Sequence, residues 1–128
     1  MILALAAITF TGLIMIVVSF QIALAVGAPW GEYAMGGKYP GTLPAPMRVA
    51  ALIQSAILAA MAVIVLVKSG LVWPDYYEIS EYGIWIVLGV TLIASVLNLI
   101  TRSKKERRVW APTSLLMLLS TIIVMLHS

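Results

Sequence analysis

Four long apolar blocks, separated by three polar stretches, dominate the pattern of this chain. Each block has about 20 residues, the length an α-helix needs to cross a hydrocarbon core of roughly 30 Å. The pattern therefore predicts an all-α polytopic membrane protein. We expect a four-transmembrane-helix bundle that forms a single domain over residues 1–128. The predicted helices span residues 2–26, 46–68, 82–101 and 109–126.

Prolines and glycines mark the ends of these blocks. Gly27 and Pro29 are expected to end helix 1, and Gly70 follows helix 2. Pro46 and Pro112 are expected in the first turns of helices 2 and 4, where a missing N–H costs nothing. The first block has no basic residue before it and is longer than the 7–15 apolar residues of a signal peptide. We therefore expect it to be a retained membrane helix.

The composition narrows the possible chemistry. The chain is 62% hydrophobic and only 10% charged, whereas a typical soluble domain has about 25% charged residues. The absence of cysteine excludes thiol redox chemistry, disulfides and thiolate metal sites. The single histidine, His127, makes a histidine-based haem or zinc site within one chain improbable. No cofactor and no metal are predicted.

The placement of basic residues predicts the orientation. Residues 102–108 hold five of the eight Lys and Arg residues, so this turn is expected to be cytoplasmic. Helix alternation then puts the long connection 27–45 on the same side and both termini outside. Asp75, Glu78 and Glu81 fall outside. The basic turn also suits anionic headgroups, although topology alone explains it, and no nucleic-acid partner is predicted.

The connection between helices 1 and 2 is richer than a tether requires. Gly36 and Gly37 permit positive φ angles, and the prolines that follow restrict the backbone to extended or turn geometry. Trp30 and Leu43 are apolar enough to enter the membrane interface. Residues 30–44 are therefore expected to form a structured, partly re-entrant lid.

Small residues recur every fourth position on helices 1 and 2, the spacing that lets membrane helices approach closely. The two stripes are Ser19, Ala23 and Gly27 on helix 1, and Ala51, Ser55 and Ala59 on helix 2. They predict close packing of this pair in the inner half of the bundle. Such packing would bring Gln21 and Gln54 to similar depths.

Polar side chains near the inner membrane face provide the candidate site. An amide at this depth should seek a partner, because an unsatisfied polar group costs several kcal/mol where water is scarce. The candidate ligand-binding residues are Gln21, Trp30, Glu32, Arg48, Gln54 and Asn98.

Two interpretations of these residues stay open. In the first, they line a polar pocket that opens to the cytoplasm under the lid, with Glu32 and Arg48 as its charged members. In the second, the amides only tie the helices together. Arg48 then extends to the headgroups and Glu32 pairs with Arg48 or Lys38.

The connection also carries a motif, W-x5-G-G-x2-P-x2-L-P-x-P. Its residues are Trp30, Gly36, Gly37, Pro40, Leu43, Pro44 and Pro46. The motif resembles a loop of small four-helix bacterial integral membrane proteins of unknown function. Three later segments are also similar to those proteins: Thr101-Arg102-Ser103, Glu106-Arg107 and Trp110-x-Pro112. The resemblance implies the four-helix architecture and a multi-pass location in the bacterial cytoplasmic (inner) membrane. It implies no activity.

These features favour a non-enzymatic module that binds a membrane lipid or small amphiphile in a cytoplasmic-side pocket. The alternative module is a subunit of a homo-oligomer or of a complex with another membrane protein. One alternative is an intramembrane lipid-modifying enzyme with Glu32 as acid/base; no other catalytic residue is proposed. A small transporter or an oligomeric channel has less support, because no span carries a central ionisable residue. An enzyme requires a buried Glu32 near Gln54 or Asn98, and a binding module requires an elongated apolar cavity.

Overall fold

The computed structural model describes residues 1–128 as four α-helices of 24 residues each, with three 3₁₀ turns and no β-strand. The α-helices are α1 (Ile2–Ala25), α2 (Ala45–Lys68), α3 (Tyr77–Ile100) and α4 (Lys104–His127), and the 3₁₀ turns are Gly31–Tyr33, Met35–Gly37 and Pro74–Tyr76. All four α-helices are long and apolar enough to cross a bilayer. The prediction of an all-helical chain with four such helices is confirmed.

The helices run alternately up and down, as short connections in a helical bundle favour. One end of the bundle, which we call the loop end, carries the α1–α2 connection (residues 26–44) and the α3–α4 turn (residues 101–103). The opposite end, the far end, carries both chain termini and the α2–α3 connection (residues 69–76). Each helix packs on two neighbours, and among neighbouring helices α2 and α3 contact each other least.

The main hydrophobic core fills the half of the bundle next to the far end. All four helices contribute to it, and its fully enclosed side chains include Phe10, Val65, Val87 and Val124. Within this half, α2 and α3 also approach closely. A Cβ atom added at Gly83 would lie 3.1 Å from the Cγ2 of Ile64. Helices α2 and α3 are therefore in close contact in the far half of the bundle.

Buried hydroxyl groups in the core bond to their own helices. Thr91 Oγ1 donates to the Val87 carbonyl at 2.9 Å, and Ser95 Oγ donates to the Thr91 carbonyl at 2.8 Å. Thr121 Oγ1 makes the equivalent bond to Met117 at 2.9 Å. These hydroxyls need no partner on a neighbouring helix, so small polar side chains occupy the core without an unsatisfied donor.

Helix α3 begins at Tyr77, not at residue 82, because the 3₁₀ turn that starts at Pro74 leads directly into it. Helix α4 begins at Lys104, not at residue 109. Its N-cap is Ser103, whose Oγ accepts a hydrogen bond from the Glu106 N–H at 3.1 Å. Most of the predicted basic turn is therefore the first turn of a helix.

The earlier start of α4 also corrects the position of Pro112. This proline lies in the interior of the helix, not in its first turn. Without an N–H, it leaves the Arg108 carbonyl without its usual partner four residues later. Arg108 is exposed, and it lies close to the loop end of the bundle.

The small-residue stripes lie only partly between α1 and α2. Ala51 and Ser55 are buried, but Ser19 and Ala59 are exposed. Ala51 packs with Leu24 of α1 and with Leu43 of the connection. The predicted stripes therefore do not form one continuous interface.

Replacing Phe10 by Ala is expected to lower the free energy of unfolding by about 3 kcal/mol, because the substitution leaves a void in a fully packed core. Ile8→Ala, two residues away at a position 60% exposed, is the control and should change stability by less than about 0.5 kcal/mol. Unfolding in mixed micelles, followed by circular dichroism, measures both. Equal effects would contradict the assigned core face of α1.

Candidate functional site

Unusual backbone angles shape the connection between α1 and α2. Met35, Gly36 and Gly37 have φ angles of 52°, 71° and 75°, so the glycine pair adopts the positive φ that glycine permits. Gly31 is equally constrained, because a Cβ atom there would lie 1.9 Å from the Tyr39 carbonyl oxygen. No side chain fits at this position.

Two apolar contacts seat the connection on the helices. Leu43 is only 2% exposed and forms a small cluster with Leu24 and Ala51. Trp30 is 47% exposed, and its ring stacks on Phe20 with centroids 6.3 Å apart and planes 6° from parallel. Leu43 is thus the buried anchor of the connection, whereas the more exposed Trp30 packs on Phe20 of α1.

Side chains near the start of α4 make three hydrogen bonds to the backbone of the connection. Trp110 Nε1 donates to the Tyr33 carbonyl at 2.8 Å, and Ser103 Oγ donates to the Glu32 carbonyl at 2.6 Å. The third bond runs in the opposite direction, from the Gly36 N–H to Glu106 Oε2 at 2.8 Å. These bonds satisfy backbone groups that neither 3₁₀ turn pairs, and they make residues 33–36 a roof over the loop end. We call these residues the roof.

Glu106 is the buried carboxylate of the chain, with 7% of its surface exposed. Ser103-x-x-Glu106 is a capping-box sequence, in which the acid normally accepts from the N-cap N–H. Here Glu106 accepts from Gly36 instead, and the Ser103 N–H donates to Thr101 Oγ1 at 3.3 Å. The site residues predicted from the sequence do not include Glu106, although both this motif and the resemblance at Glu106-Arg107 contain it.

A cavity of about 830 Å³ lies beneath the roof. Its apolar wall includes Val17, Phe20, Ile57, Leu58, Met61, Val90, Ile93, Leu97, Trp110 and Met117. Ile57, Ile93 and Leu97 are also at least half exposed on the outer surface of the bundle. The cavity therefore opens sideways between α2 and α3, the neighbouring helices that contact each other least.

The loop end of the cavity is polar. Gln21, Gln54 and Asn98 all line it, together with Glu106 and Arg102. The Oε1 atom of Gln21 is buried and has no hydrogen-bond partner, and no other buried side-chain nitrogen or oxygen lacks one. Such an atom loses its hydration without compensation.

Asn98 also ties two helices together. Its Nδ2 donates to Ser114 Oγ at 3.1 Å and to the Trp110 carbonyl at 3.2 Å, both on α4. Because these bonds occupy the amide nitrogen, the amide oxygen remains as an acceptor. Asn98 therefore fits both interpretations of the candidate residues, because it links two helices and also forms part of the cavity wall.

The other three candidate residues do not line this cavity. The Glu32 side chain is 42% exposed and pairs with Lys105 at 2.7 Å, rather than with Arg48 or Lys38. An ion pair this exposed contributes little stability. Arg48 Nε donates to the Ala25 carbonyl at 2.8 Å, where it caps the C-terminal end of α1. Trp30 lies over Phe20, as described above.

No family model matches this chain, and neither the curated proteins nor the solved structures give a significant match. The chain has no group of three or more His, Cys, Asp or Glu residues placed to hold a metal ion. The cavity and its polar end are therefore the basis for a functional assignment.

Gly31→Ala is expected to lower the thermal unfolding midpoint by about 5 °C or more, since the new Cβ would displace the backbone at Tyr39. The control is Gly12→Ala in α1, where an added Cβ meets nothing within 4 Å. Scanning calorimetry in micelles compares the two variants. An unchanged thermal midpoint for Gly31→Ala would show that Gly31 does not lie against the Tyr39 carbonyl in this way.

Glu106→Ala is expected to speed hydrogen exchange of the Gly36 amide by about tenfold or more, because that N–H loses a charged acceptor. Glu32→Ala removes an acid from the same region but keeps this bond, so the Gly36 amide should stay protected. NMR exchange rates in micelles measure both effects. Equal protection in the two variants would argue against the Glu106 contact.

Proposed function

We propose that this protein is a multi-pass membrane protein that binds one lipid or small amphiphile in the cavity between α2 and α3. The observation that carries the proposal is the cavity itself, apolar along its walls and polar at one end. Its volume of about 830 Å³ lies within the range of roughly 300–1,000 Å³ that is usual for small-molecule sites. The walls suit a hydrocarbon chain, and the amides suit a headgroup.

The side opening supports a ligand that arrives from the bilayer. A lipid chain in contact with Ile93 and Leu97 on the outer surface would pass between α2 and α3 without crossing water. The Asn98 amide oxygen, which no bond within the chain engages, offers the headgroup an acceptor at the polar end.

The charge distribution supports an orientation with the loop end at the cytoplasmic face. Seven of the eight basic residues belong to the loop end, in residues 38–48 and 102–108. In the bacterial inner membrane, this orientation opens the cavity to the inner leaflet. The ligand is then drawn from the lipids or amphiphiles of that leaflet.

The alternatives have weaker support. Glu32 is exposed and paired with Lys105, whereas acid/base chemistry by this residue requires burial near Gln54 or Asn98. A transporter requires a polar path to both sides, and side chains such as Phe10 and Val65 fill the far half. A partner subunit favours a filled bundle, so the cavity favours ligand binding over that role.

Native mass spectrometry with lipidomics tests the proposal on gently purified protein. The wild-type chain is expected to retain an amphiphile, and Ala94→Trp is expected to lose it because Ala94 lines the cavity. Val96→Trp, on the same helix but at a half-exposed position outside the cavity, should retain it. Thermal midpoints establish that both variants fold. Equal occupancy in the two variants, or wild-type protein that binds no added amphiphile, would contradict the proposal.

A further inference from the structure

We propose that the cavity selects a zwitterionic aminophospholipid, with the primary ammonium group paired to Glu106 and the phosphate paired to Arg102. This inference rests on the proposed function, because it names the ligand class for the same cavity. It depends on the charges and hydrogen-bonding groups that surround the polar end.

Two opposite charges line the cavity without pairing to each other. Arg102 and Glu106 both belong to its wall. The only ion pair of the chain joins Lys105 to Glu32, at 2.7 Å, so neither Arg102 nor Glu106 has an ionic partner. Arg102 is exposed, whereas Glu106 is buried. The cavity therefore offers separate sites for a cation and for an anion.

The buried carboxylate is the stronger constraint. Buried charges in proteins are normally paired, because the loss of hydration is otherwise uncompensated. Glu106 has the Gly36 N–H and the N-terminal end of α4 to stabilise its charge, but no basic side chain within ion-pair distance. A ligand cation would complete its environment.

The neighbouring polar atoms favour a cation that donates hydrogen bonds. Asn98 has its nitrogen engaged on α4, which leaves its amide oxygen as an acceptor for a ligand donor. Asn98 lines the same cavity as Glu106. A primary ammonium group carries three N–H donors, whereas a quaternary ammonium group carries none. The polar end therefore favours ethanolamine-type over choline-type headgroups.

Arg102 adds the requirement for an anion. A simple alkylamine would leave this guanidinium unpaired, and a purely anionic headgroup would bring a negative charge close to Glu106. Arginine binds phosphate oxygens through paired N–H donors. A headgroup with both a phosphate and a primary ammonium meets both demands.

The test is native mass spectrometry with three lysophospholipids that share one oleoyl chain and carry ethanolamine, choline or glycerol headgroups. The wild-type protein is expected to bind the ethanolamine lipid about tenfold more tightly than either of the others. Glu106→Gln should reduce this preference to about twofold or less, since it removes the charge but keeps an oxygen for the Gly36 N–H. Glu32→Gln makes the same chemical change outside the cavity and should leave the preference intact.

Arg102→Gln provides an independent variant at an exposed position, where folding is not at risk. It is expected to weaken binding of all three phosphate-bearing lipids by about tenfold. If Glu106→Gln does not fold, as judged by its thermal midpoint, the wild-type preference and the Arg102→Gln result decide the question.

The outcomes separate this inference from the proposed function. Equal binding of the three lipids, lost in Ala94→Trp, overturns the headgroup inference and leaves amphiphile binding in place. A preference for the ethanolamine headgroup that survives in Glu106→Gln also overturns the headgroup inference and leaves amphiphile binding in place. Binding that Ala94→Trp does not affect, or no binding at all, overturns both.

Discussion

The hydrogen bond between the Gly36 N–H and the Glu106 carboxylate joins the roof of the cavity to the helix that starts beside it. Backbone groups in an irregular connection need partners where water is scarce, and two short 3₁₀ turns supply few. The start of α4 supplies the rest through Ser103 and Trp110. Because the same few residues cap the helix, hold the roof and line the cavity, the loop end behaves as one unit.

The two halves of the bundle differ in how their side chains pack. In the far half, apolar side chains from all four helices interlock, and the hydroxyl groups among them bond to their own helices. In the half next to the loop end, the helices leave space, and polar side chains face it. The packed half supplies the rigidity that lets the other half remain open.

The sequence predicts the helices well because each apolar block has the length of one helix that could cross a bilayer. It misplaces the starts of α3 and α4, since charged and aromatic residues near an interface are as compatible with a first helical turn as with a loop. At the site, similar depth predicts that Gln21, Gln54 and Asn98 lie near one another, and all three line the cavity. Depth in the helices does not identify Glu106 as a site residue, because its hydrogen-bond partner, Gly36, lies 70 residues away in the chain. Glu32 stands out in the sequence as the acid of the connection, but its pairing with Lys105 depends on the fold of α4.

The close approach at Gly83 and Ile64 has a geometric consequence. Helices α2 and α3 meet there and leave space for the cavity nearer the loop end, so the space between them is a wedge with a closed apex. The tail of the proposed amphiphile, with its headgroup at the polar end, would stop at that apex. The closed apex would then limit the length of tail that fits, and the size of the side chain at residue 83 would set this limit.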